Sequence, residues 1–280
     1  MRNFILLVII VTFISSCKKD DDTEQDMSVT MLNVSYGTNA QQKMDVYLPA
    51  NRSSTTTKAI IMIHGGGWNT GDKADFNEYV DSLKKREPSY AIFNINYRLA
   101  NMPDIFPAQE LDVKAAVEFI YSKRSEYLIS DKFALIGASA GAHLALLQGY
   151  KYSTPVKPKA IIDFFGPTDL VALYNNPPNP LVQPQLLAVT GATPATNNTL
   201  YTQSSPINFV SFQAPPTMIL HGGVDLVVSP SQSVALDTKL YISGITHQYI
   251  FYPTEGHGWV GTNLTDSFDK ILAFLAANMD

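Results

Sequence analysis

Apolar residues in this chain fall into two alternating patterns. Short, nearly continuous apolar runs occupy residues 59–63, 90–97, 133–136, 160–165 and 217–220. Such runs fit strands buried on both faces. Residues 31–36, 44–48 and 248–252 are also strand-like. Between them lie segments with helical spacing, at 74–86, 107–125, 142–150, 231–242 and 266–279, with Pro107 suited to a first helical turn. Strand and helix in alternation predict an α/β fold. Its centre is a mostly parallel sheet of about eight strands, covered by helices on both sides. The short polar link between the first two strands predicts an antiparallel edge.

Residues 170–213 break the alternation. They are rich in Pro, Asn, Thr and Gln, and include Asn175-Asn176-Pro177-Pro178-Asn179-Pro180. Insertions this long in a compact domain tend to be lids or binding loops. They predict a small cap over the C-terminal edge of the sheet, with short helices at 183–189 and 199–203. A passive surface loop is the alternative. Residues 29–280 otherwise read as one folded unit without internal repeats.

The N-terminus follows different rules. Arg2, an apolar stretch at 4–14, then Ser15, Ser16 and Cys17 have the order of a secretory signal peptide. Ile14-Ser15-Ser16-Cys17 resembles a bacterial lipobox, so residues 1–16 are expected to be removed and Cys17 acylated. A signal followed by a stray cysteine is the alternative. The polar, charged stretch 17–28 fits a solvated tether. The expectation is an exported protein anchored to the cell envelope through Cys17, in the outer membrane and with a surface address suggested by the acidic run. Cys17 is the single cysteine, which excludes an internal disulfide.

Composition narrows the function. With 45% hydrophobic and 16% charged residues, the 280-residue chain can bury one sizeable core. The net charge of −5, with Lys and Arg scattered, gives no nucleic-acid surface.

Candidate chemistry centres on Gly137-Ala138-Ser139-Ala140-Gly141. This Gly-x-Ser-x-Gly sits between a strand and a small-residue helix, as a serine nucleophile on a sharp turn requires. A serine hydroxyl needs a base, and the chain has five histidines. His64 lies in a glycine loop, His143 on the helix after Ser139, His221 at a strand end and His247 at a strand start. His257, between Gly256 and Gly258 beyond the last strand, is the candidate base. Among the carboxylates between Ser139 and His257, Asp225 lies on the loop after strand 217–220 and is the candidate acid. Asp163 and Asp169 are the alternatives, whereas Asp237 falls in a helix and Glu255 is too near His257. His64-Gly65-Gly66-Gly67-Trp68 follows strand 59–63 directly. Its glycines suit an oxyanion site built from the N–H groups of Gly66 and Gly67, with a further donor from Ala140. The loop lacks the Lys and Ser or Thr of a phosphate-binding P-loop. Trp68 and Trp259 flank these elements. Each is a candidate substrate-binding wall, with a packing role as the alternative.

These motifs, in this order, resemble those of α/β-hydrolase esterases over residues 30–280. Met44-Asp45-Val46-Tyr47-Leu48-Pro49, Asn96-Tyr97-Arg98-Leu99, Ser205-Pro206-Ile207 and His221-Gly222-Gly223-Val224-Asp225 add to the likeness. The chain looks like the hormone-sensitive-lipase-like and feruloyl-esterase-like (BD-FAE) carboxylesterases. The resemblance implies hydrolysis of acetyl, feruloyl or other short-acyl esters of sugars or polysaccharides by acyl-enzyme chemistry, with no metal and no cofactor. The segment after Gly222 also resembles prolyl-oligopeptidase-type domains, so an exopeptidase or amidase is the rival. A non-catalytic binding lipoprotein is the other.

Overall fold

A computed structural model of the chain describes residues 27–279. The expected signal peptide, Cys17 and nearly all of the tether lie outside the described residues. Eight strands form one sheet: β1 (Val29–Ser35), β2 (Lys43–Leu48), β3 (Ala59–Ile63), β4 (Ala91–Ile95), β5 (Phe133–Ala138), β6 (Ala160–Phe164), β7 (Thr217–Gly222) and β8 (His247–Tyr252). Their spatial order is β1-β2-β4-β3-β5-β6-β7-β8. The pairs β1–β2 and β2–β4 are antiparallel and the rest parallel. The antiparallel part therefore extends one pair beyond the first hairpin.

Nine helices accompany the sheet among the described residues: α1 (Asn77–Arg86), α2 (Ala108–Ser122), α3 (Arg124–Tyr127), α4 (Ala140–Lys151), α5 (Leu170–Asn175), α6 (Val182–Thr190), α7 (Asn198–Gln203), α8 (Ser231–Ile242) and α9 (Thr262–Asn278). The continuous apolar strands feed two cores, because successive side chains point to opposite faces. Ile61, Ile63, Leu135 and Ile161 meet Val113 and Val117 of α2, Leu144 of α4 and Leu236 of α8. Ile60, Met62, Ile136 and Ile162 meet Leu83 of α1 and Phe268, Ile271 and Leu275 of α9. The α9 residues recur every three or four positions, as one buried helical stripe does. Each contributes about 2 kcal/mol by leaving water.

Several boundaries depart from the sequence pattern. The helix expected over 74–86 begins as a 3-10 turn, Lys73–Phe76, because the Asp72 side chain accepts the Ala74 N–H and caps it. The helix expected over 107–125 divides at Lys123 into α2 and α3. β5 runs on to Ala138 and α4 starts at Ala140, so Ser139 alone makes the turn.

The 170–213 insertion folds as α5, α6, α7 and a 3-10 turn, Pro206–Phe209. The six-residue α5 is too short to show a periodic pattern. Leu170, Leu173, Val182, Leu186 and Tyr201 join the same core as β5 and α4, so the insertion is anchored rather than loose.

Candidate active site

The turn at Ser139 rests on its two glycines. A Cβ at Gly137 would sit 2.4 Å from Gly141 O, and one at Gly141 would sit 2.0 Å from Ile63 O. Only hydrogen fits at either place. This closeness lets β5 reverse into α4 within one residue and forces Ser139 to φ +54 and ψ −121. A non-glycine residue there costs about 1–3 kcal/mol, a strain that active sites often store. The Ser139 N–H donates to Phe164 O at 2.8 Å, which ties the turn to the end of β6.

His257 and Asp225 reach Ser139 from two other loops. A Cβ at Gly222 would lie 2.2 Å from Gly256 O, and one at Gly223 would lie 2.4 Å from Pro253 O. The glycines after β7 thus let the loop after β8 close against it. His257 Nε2 lies 2.9 Å from Ser139 Oγ, and His257 Nδ1 lies 2.7 Å from Asp225 Oδ2. Asp225 Oδ1 accepts the N–H groups of Val227 and Val228 at 2.7 and 3.0 Å. Burial opposes ionisation of Asp225. Hydrogen bonds from His221, His257 and the Val227 N–H outweigh it and hold the carboxyl well below its ordinary range.

The other candidates are engaged elsewhere. Asp163 Oδ1 accepts the Gly166 N–H at 2.7 Å, and its Oδ2 has no partner among the described residues. Asp169 caps α5 by accepting the Ala172 N–H. Glu255 accepts from Asn263, and Asp237 faces His247. His143 is buried, its Nε2 donating to Ser204 O at 2.7 Å while Nδ1 accepts the Trp68 indole N–H at 3.1 Å. Burial pushes it down to about 4.

Burial pushes the Asp163 carboxyl up to about 7 from 3.8. Between those values the folded state holds a proton that the unfolded chain has released. This site's contribution therefore falls as pH rises through that window and levels off above it, by up to about 4 kcal/mol. Asp163→Asn keeps an acceptor for the Gly166 N–H and stays neutral. Its melting temperature relative to wild type is expected to rise by several degrees between pH 4 and pH 8. Thermal unfolding at both ends of that range checks this, and a pH-independent difference would contradict it.

The glycine loop lies beside Ser139. Gly66 and Gly67 have φ of +102 and +57. The N–H groups of Gly66, Gly67 and Ala140 donate to no acceptor among the described residues. Gly66 O accepts from Thr70, and Tyr97 Oη donates to His64 O and Gly65 O, so the carbonyl side of the loop is fixed.

A cavity of about 380 Å³ opens over Ser139. Trp68, Phe165, Leu173, Val182, Leu186 and Val228 give it apolar walls, and Asp75 and Gln185 are the polar side chains outside the Ser139 and His257 pair. Leu173, Val182, Gln185 and Leu186 come from α5 and α6, so the insertion does form part of the cavity. Trp68 lines the cavity. Trp259 does not, which corrects its expected place. Its indole packs on Phe165, Phe164 and Tyr252, and its N–H donates to Ser267 Oγ at 2.9 Å. Phe165 stands in that place, its ring 4.6 Å from the His257 ring. Neither Phe165 nor Gln185 carried a sequence signal, because their positions depend on which strand ends and helices meet above the sheet.

A mostly parallel sheet with helices on both faces, a serine at the tight β5–α4 turn, and Asp and His on the loops after β7 and β8 define the α/β-hydrolase fold. The BD-FAE family model matches residues 44–240, and the chain belongs to that family. A truncated form of carbohydrate esterase from gut microbiota has a similar structure. Its TM-score is 0.76 at 27% identity, covering 90% of this chain and 98% of that one. A bifunctional GH43-CE protein of Bacteroides eggerthii gives 0.76 at 25% identity, covering 89% and 38%. The probable carboxylic ester hydrolase LipM of Mycobacterium tuberculosis is 28% identical over 216 residues, 72% of this chain and 49% of LipM. The chain spans about half the length of the curated relatives it matches.

Proposed function

We propose that the chain is a serine carboxylic ester hydrolase. The observation that carries this is the unbroken line Ser139 Oγ, His257 Nε2, His257 Nδ1, Asp225 Oδ2, with steps of 2.9 and 2.7 Å, whose Ser139 and His257 line the cavity. Ser139 attacks the ester carbonyl while His257 takes its proton and then returns it to the leaving alcohol. Asp225 keeps the proton on His257 Nδ1 and stabilises the imidazolium. The N–H groups of Gly66, Gly67 and Ala140 receive the developing oxyanion, each worth about 3 kcal/mol. Water then releases the acyl group from Ser139 by the reverse sequence.

The substrate reading is a short-acyl, acetyl or feruloyl ester of a sugar or polysaccharide. The apolar walls suit an acyl group, the cavity volume falls in the range of small-molecule sites, and solved carbohydrate esterases are similar over most of this chain. A panel on purified protein tests it: p-nitrophenyl esters of increasing chain length, methyl ferulate, acetylated xylan and aminoacyl p-nitroanilides. Turnover is expected on short-acyl and sugar esters and not on the anilides. The reverse order would make the chain an amidase or exopeptidase. Failure of a fluorophosphonate to label Ser139 would make it a binding protein. The leader supports export and tethering through Cys17, which fractionation of the full chain between membranes and medium tests.

A further inference from the structure

His221 is the second-last residue of β7 and is fully buried, 0% exposed. Asp225 follows it by four residues. The loop between them folds back so that Asp225 Oδ2 lies 3.2 Å from His221 Nε2. The same nitrogen is 2.9 Å from Val228 O. A carboxylate and a carbonyl accept only, so Nε2 carries a proton. On the other side of the ring, Nδ1 lies 2.6 Å from the buried Ser233 Oγ on α8, which can donate to it. Two acids face this imidazole, Asp225 and Asp163 of β6, with His257 beyond Asp225.

We propose that His221 is a positioning residue that holds the Asp225 carboxylate in register with His257. Asp225 then has four polar partners: two peptide N–H groups on Oδ1, the His257 N–H on Oδ2, and the His221 Nε2–H, shared with Val228 O, 3.2 Å from Oδ2. His257 sits on a loop and must rock between Ser139 and the leaving group. His221 sits on a strand inside the core, so it gives Oδ2 a fixed second anchor. Ser233 sets the tautomer of His221, and the chain of contacts reads Ser233, His221, Asp225, His257, Ser139. Rigid neighbours that lock a functional side chain are what precise geometry needs.

The inference rests on the ester-hydrolase reading, and the test separates the two. His221→Leu removes the donor, and His221→Gln restores an N–H near the Nε2 position. His221→Leu is expected to lower kcat 10- to 100-fold on a short p-nitrophenyl ester with KM within twofold, and His221→Gln to recover most of that loss. In an Asp225→Asn background, His221→Leu is expected to cost less than twofold, since its effect passes through Asp225. Ser233→Ala supplies a second variant should the leucine chain fail to fold, with a three- to tenfold loss of kcat that also disappears in that background. An equal loss in both backgrounds, a loss confined to KM, or no rescue by glutamine would overturn the proposal. The low-field proton resonance of His257 Nδ1–H needs no turnover. It is expected to broaden in His221→Leu or Ser233→Ala and persist in His221→Gln. A wild-type protein without ester turnover would refute the functional reading alone, and the resonance would then decide the role of His221.

Discussion

Replacing Ser139 with alanine is expected to lower kcat/KM for short p-nitrophenyl esters at least 10⁵-fold, about 7 kcal/mol of transition-state stabilisation. Among the described residues the hydroxyl is the group placed for attack, 2.9 Å from His257 Nε2. What survives is binding and the oxyanion donors, which alone leave a small residual rate over water. The variant should still melt within about 2 °C of wild type. Alanine keeps the Cβ and therefore the strained φ of +54, so the backbone neither gains nor loses. The one contact removed is a part-exposed hydrogen bond, typically worth about 1 kcal/mol. Kinetics beside a thermal melt separate lost chemistry from lost fold. Turnover within tenfold of wild type in a folded variant would remove Ser139 from the mechanism.

Asp225→Asn should lower kcat about 10⁴-fold, near 5 kcal/mol, with KM changed little. Shape is conserved, and hydrogen-bonding character is not. The carboxylate accepts from Val227, Val228 and His257, and the His221 Nε2–H that it shares with Val228 O lies 3.2 Å away. An amide has a single acceptor atom. If its oxygen serves the two peptide N–H groups, its NH₂ faces two imidazole N–H groups, and His257 must turn its proton to Nε2, where it can no longer accept from Ser139. If the amide flips, two peptide N–H groups meet a donor, and the loop carrying the residue is strained. The first arrangement defeats the base, and the second keeps it only by setting two peptide N–H groups against a donor, a cost in stability that a melt would reveal. A loss below tenfold would mean that another acid orients His257. Asp163 is the nearest rival in sequence logic, yet its Oδ1 is bound to the Gly166 N–H.

Much of the scaffold is legible in the chain because it depends on local pattern. Residues 59–63 and the helix at Ser231–Ile242 have the limits that their apolar pattern indicates. Short continuous apolar runs fit strands buried on both faces, and helices then cover both. Gly137 and Gly141 announce a close approach of backbone, since nothing larger fits beside Gly141 O and Ile63 O. The elements that escaped were those without a period of their own: the six-residue α5 and the 3-10 start at Lys73.

The amino-acid sequence by itself determined the alternation of strands and helices and the order of serine, acid and histidine along the chain. It also determined the glycine positions that allow tight turns, because each of these is a property of neighbours in sequence. The tertiary structure alone decided which side chains face one another across distant loops. Trp259 turned inward because Phe165, Phe164 and Tyr252 surround it, leaving Phe165 to stand against His257. His221, in sequence only the end of a strand, lies against Asp225 because the β7 loop folds back over a buried ring. Such contacts depend on how far strand ends project and what packs beneath them, and that is set by the whole fold closing around one core.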